Sequence, residues 1–112
     1  MAGKRGGLHS YTVQEAQNSS MGQVGSVYLD TDGTTFTPSV GVVVAITMIS
    51  DCDFDVLTPE DISKYIGVTD DGYENGGDTL AITDQFPSGM TIYGRWTSVS
   101  VNTTGACICY VG

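Results

Sequence analysis

In the closing segment "ACICYVG" two cysteines stand one residue apart, and a third, Cys52, lies far upstream. A C-x-C pair needs two further ligands to close a tetrahedral zinc site, and His9 and Cys52 are the only obvious candidates. The competing reading makes Cys107 and Cys109 small buried hydrophobes of a strand. That reading is preferred, because three cysteines is an odd number, no export signal is evident, and reduced thiols are then the expectation. Side by side on one strand face, the two are also poorly disposed for a mutual disulfide.

The acids invite a calcium reading, since oxygen ligands at alternate positions are what calcium loops use. "DTDG" and "DDGYENGGD" lack the twelve-residue loop and its terminal bidentate glutamate. Asp51, Asp53 and Asp55 would project from one strand face about 7 Å apart, too spread for one ion. A solvated acidic face is expected instead, with no metal and no cofactor. Glycosidase chemistry needs two carboxyl groups facing each other across roughly 5–9 Å, and nothing in the sequence places two acids so. The single histidine, His9, falls in a terminal arm, which leaves a Ser-His-Asp or Cys-His arrangement dependent on that arm. "GGL", "GQVG" and "NGG" match no phosphate-cradling spacing. The chain does not read as an enzyme.

The remaining candidates are Tyr93, Arg95 and Trp96 in "IYGRW", where the only tryptophan adjoins one of four basic side chains. Their role depends on the strand that carries them. Met90 and Ile92 share one parity and Val99 and Val101 the other, so the inward face must switch between them. A switch at Gly94 puts Trp96 outside beside Arg95, as an interface anchor. A switch after Trp96 puts the indole in the core. Both readings are open from sequence.

The elements around them read as strands. "QVGSVYLD" leads into a turn at "DTDG" with "TTF" as the return, followed by "VVVAITMIS" and "CDFDVL". In the last of these, Asp51, Asp53 and Asp55 alternate with Cys52, Phe54 and Val56, one wet face and one dry. "TPEDISKYIG" predicts one short helix, with Thr58 as N-cap, Pro59 at N1, Asp61 at N3 and Gly67 as the stop. "TLAIT", "MTIYG", "WTSVSV" and "ACICYV" complete the strands. The fold class expected is mainly β, a small antiparallel sandwich or barrel with one short helix and an extended N-terminal arm. Residues 1–22 are that arm, poor in large apolar side chains, and residues 23–112 are a single β-rich domain. "VVVAITMI" and "ACICYV" are apolar on both faces, more than a chain of 112 residues can readily cover alone, which points to self-association.

A net charge of -9 argues against a nucleic-acid backbone as partner. Lys4 and Arg5, half of all the positive charge, sit in the arm and are candidate interface residues. The longest apolar run, "VGVVVAITMI", is strand-sized, so a soluble protein made in the cytoplasm is expected, with no membrane partner.

The final third, "FPSGMTIYGRWTSVSVNTTGACICYVG", resembles small virion structural proteins of tailed bacteriophages of the capsid decoration, or cement, type. In them an "IYGRWT"-like strand is followed by a Gly turn and a short apolar strand. The resemblance implies a head decoration protein that binds the major capsid protein on the capsid exterior and stabilises the shell. It further implies a β-rich homotrimer with an N-terminal arm, located in the virion. A neck, tail or head-fibre component would look similar. The alternative from another class is a carbohydrate- or receptor-binding module using Trp96, Tyr93 and nearby acids.

Overall fold

The computed structural model describes residues 24–103 and 105–112. The strands are β1 (Gly25–Leu29), β2 (Val43–Met48), β3 (Cys52–Pro59), β4 (Ile66–Gly67), β5 (Asp70–Asp71), β6 (Gln85–Phe86), β7 (Thr91–Val101) and β8 (Cys107–Val111). They form a six-stranded sheet in the order β1-β8-β2-β7-β3-β6 and a two-stranded ribbon, β4-β5. Every pairing between these strands is antiparallel. The mainly β, antiparallel class read from the sequence is the observed one. The expected arm, with Lys4, Arg5 and His9, lies outside the described residues.

The segments "MTIYG" and "WTSVSV" are one strand. β7 runs for 11 residues, its first half paired with β2 and its second with β3. Three irregularities bend these ladders. Val43 faces Trp96 while Ala45 faces Tyr93; Thr58 faces Ser98 while Pro59 faces Trp96; Phe54 faces Val101 while Val56 faces Ser100. Bulges increase local twist and curl a sheet. The curl lets Leu29 of the edge strand β1 join one contiguous core with Trp96 of β7 and Phe54 of β3, which lie three and four places away in the strand order.

The bulges also reset which side chains point inward. Along β7 the inner residues are Ile92, Gly94 and Trp96, then Val99 and Val101, so the switch falls after Trp96, at Thr97 and Ser98. On β3 the alternation shifts in the same way between Phe54 and Val56. Asp53 is only 6% exposed, between buried Cys52 and Phe54, and beyond Asp55 it is Leu57 rather than Val56 that reaches the core. The expected wet face of Asp51, Asp53 and Asp55 therefore loses its middle member.

The helix expected over "TPEDISKYIG" does not form there. Thr58 and Pro59 close β3, and the Glu60 N–H donates to the Arg95 carbonyl at 2.8 Å, so the ladder uses the residues that would have opened the helix. What remains is one turn, with Lys64 and Tyr65 N–H groups both bonded to the Asp61 carbonyl. Asp61 caps it, its Oδ1 accepting from the Ser63 N–H at 2.9 Å and the Ser63 hydroxyl at 2.6 Å. The described helical element is a short 3-10 turn at Tyr73–Asn75. "TTF" is not a hairpin return either, because Phe36 bridges Val99 of β7 rather than β1. "TLAIT" contributes one parallel bridge, Leu80 to Val68. Among the described residues no helix is long and apolar enough to cross a membrane.

Candidate functional site

Trp96 is fully buried. Its indole N–H donates to the Ile66 carbonyl at 2.7 Å, tying the β4-β5 ribbon to the sheet. Its six-membered ring lies over Gly94, where an added Cβ would approach ring carbons to 2.8 Å. The indole is core packing that locks a ribbon in place, and the expectation of an exposed anchor at this position is corrected. Next to it, Arg95 points outward into an ion pair, Nε to Glu60 Oε1 at 2.7 Å with Nη2 to Oε2 at 3.4 Å. That bond holds the Glu60 carboxyl below the usual carboxylate range and raises the Arg95 guanidinium. Ser63 lowers Asp61 likewise. Arg95 thus clamps the end of β3, and its charge is answered within the chain.

The three cysteines meet inside. Cys52, Cys107 and Cys109 are free and buried. Cys52 Sγ donates to the Ala106 carbonyl at 3.1 Å. Burial, with Cys107 beside it, pushes the Cys52 thiol up to about 11, and the Cys107 thiol rises further through its hydrogen bond with Cys109 and burial. Neutral thiols are poor nucleophiles and poor metal ligands. Among the described residues no three His, Cys, Asp or Glu side chains are gathered to hold a metal ion.

A depression of about 600 Å³ lies beside the ion pair, lined by Glu60, Asp61, Ile62, Lys64, Tyr65 and Arg95. Two further concave surfaces are found among the described residues. One is a cleft of about 300 Å³ at the free edge of β1, where Val24, Val27, Phe36, Pro38 and Val40 gather, with Val24 54% and Val40 72% exposed. Among the described residues the outer edge of β1 pairs with no strand. Residues 1–23 join the body at Val24, in the cleft itself. The other is a depression of about 210 Å³ on the outer face of β8, β2 and β7, lined by Ala45, Thr47, Thr91, Tyr93 and Tyr110.

Sequence reading singled out Tyr93, and it is 69% exposed at the rim of that depression. Its neighbours Tyr110, Thr47 and Thr91 went unremarked. The available signal is parity, since Tyr110 alternates with Cys109 and Val111 and so falls on the face opposite the cysteines, but which strands lie side by side is set by the order β8-β2-β7, which sequence does not state. The structure brings Tyr93 together with Tyr110 and separates it from Trp96, which faces the opposite side of the sheet.

Comparison with family models, with curated proteins and with solved structures finds no match to this chain.

Proposed function

We propose that this chain is a non-enzymatic structural protein of a tailed-bacteriophage particle, a head decoration protein that binds the major capsid protein on the capsid exterior and self-associates there as a homotrimer. The observation that carries the geometric side of the proposal is the β1 edge. An unpaired strand edge offers main-chain hydrogen bonds to an extended partner segment, and an adjoining apolar cleft offers pockets for its side chains. In this chain that edge, the exposed Val24 and Val40 and the junction to residues 1–23 share one corner. Lys4 and Arg5 lie on the joined segment of an otherwise acidic molecule, suited to an acidic patch on the shell. The major capsid protein is named as partner on the resemblance of the final third to virion structural proteins. Arg95 and Glu60 are engaged in an ion pair and Asp61 in turn capping.

Co-sedimentation with source particles tests this reading. Val40→Glu, at a position already open to solvent, should leave the melting temperature unchanged and weaken attachment by at least about tenfold. Deleting residues 2–7 should also weaken it. Normal attachment by both variants overturns the role of this corner. Labelled antibody on negatively stained particles should give a regular lattice over the head, and a signal confined to one vertex or the tail tip would overturn the decoration assignment.

A further inference from the structure

We infer that the depression between Tyr93 and Tyr110 is a binding site for one ring of a neutral carbohydrate. The residues form two cross-strand rows on the outer face of the sheet. Ala45 of β2 is partnered by Tyr93 on one side and Tyr110 on the other, and Thr47 is partnered by Thr91 and Ile108. Adjacent strands lie about 4.8 Å apart, so the two tyrosines, with β2 between them, spring from positions about 10 Å apart. Stacking contacts of about 3.8 Å on each side of an intervening ring would set the two aromatic faces about 7.6 Å apart, within reach of side chains that both line the depression. Ala45 is the small residue of the lining, and a longer side chain at that position would intrude on the depression.

The floor supplies hydrogen bonding. Thr47 Oγ1 and Thr91 Oγ1 are 3.0 Å apart, one donating to the other, which leaves one hydroxyl hydrogen and several lone pairs for a ligand. The lining contains no charged residue, in a chain whose net charge is -9. A phosphate or carboxylate would find no cation there and a field that repels it, and an amine would find no carboxylate to pair with. Apolar ring faces with hydroxyls at the periphery, and no charge, describe a pyranose. Protein is the less fitting occupant, because five lining residues fall far short of the 20–30 a side of a standard protein interface.

This inference goes beyond the attachment role and shares no residue with the β1 cleft, so it is tested on the purified full chain without particles. Cellotriose, maltotriose and chitotriose are titrated while amide resonances are followed by NMR, with sialyllactose as the charged comparison. At least one neutral trisaccharide should shift the resonances of Thr47, Thr91, Tyr93 and Tyr110 in a saturable manner, and sialyllactose should not. Tyr93→Ala should weaken that binding about tenfold with an unchanged melting temperature, while Tyr93→Phe, which keeps the stacking face, should retain most of it. No saturable shift up to 10 mM with any neutral trisaccharide, shifts confined to other residues, or wild-type binding by Tyr93→Ala would each overturn the proposal. Concentration-dependent broadening of these four resonances without sugar would overturn it in favour of a second copy.

Discussion

Gly94 and Trp96 are adjacent on the inner face of β7, and the sequence around them admits the indole on either side of the sheet. What decides it is a steric relation: the indole rests where a side chain at position 94 would be. Gly94→Ala should therefore overpack the site and destabilise the fold by about 1–3 kcal/mol. Trp96→Phe removes the six-membered ring that occupies this space, and with it the bond to the Ile66 carbonyl. In the double variant the alanine penalty should shrink, giving a favourable coupling above about 0.5 kcal/mol in urea unfolding. Strictly additive effects would put the indole elsewhere. Arg95 next door behaves differently: its guanidinium and the Glu60 carboxylate are both solvent-exposed, so Arg95→Ala should change stability little.

At the level of elements, alternation and turn chemistry identify β1, β2, β3, β7 and β8 within a few residues, because half-buried strands impose a period of two. Bulges defeat the same logic. Each shifts inward parity by one, and only the partner strand reveals where, which is why Leu57 rather than Val56 reaches the core and why Trp96 is undecidable from sequence; Asp53 precedes the bulge, on the face opposite Cys52 and Phe54, and is covered on its own face. The helix signal at "TPEDISKYIG" rests on Thr58 and Pro59, which the sheet takes instead, and Asp61, expected at N3, caps a single turn through Ser63 where the ladder ends beyond Glu60. Asp53 carries a testable consequence. Its Oδ1 is buried with no hydrogen-bond partner, and an orphaned buried oxygen carries its full desolvation penalty. Asp53→Asn removes the charge at constant shape and should stabilise the protein by on the order of 1 kcal/mol by chemical denaturation at neutral pH. Destabilisation instead would mean that the carboxylate is satisfied by a contact the aspartate needs.

For the molecule as a whole, the cysteines link folding to pH. All three lie in the core that β1, β2, β3, β7 and β8 share, so a thiolate there is paid for by global unfolding rather than by local fraying. Cys52 ionises near its ordinary 9.0 when unfolded and near about 11 when folded. Between those values the unfolded chain binds fewer protons than the folded one, so stability is complete below about pH 9 and falls as pH rises toward 11. The slope is about 1.4 kcal/mol per pH unit for each such thiol. Cys107, raised further, extends the same trend upward. Urea unfolding under reductant at pH 8, 9 and 10 should show little change over the first step and a marked loss over the second. The diagnostic comparison is Cys52→Ala. Its plateau at pH 8 should be lower, because a buried side chain is truncated, while its alkaline slope should be shallower by about one thiol's share. An identical slope in the two proteins would mean that Cys52 ionises alike in the folded and unfolded chain and does not carry the alkaline limb.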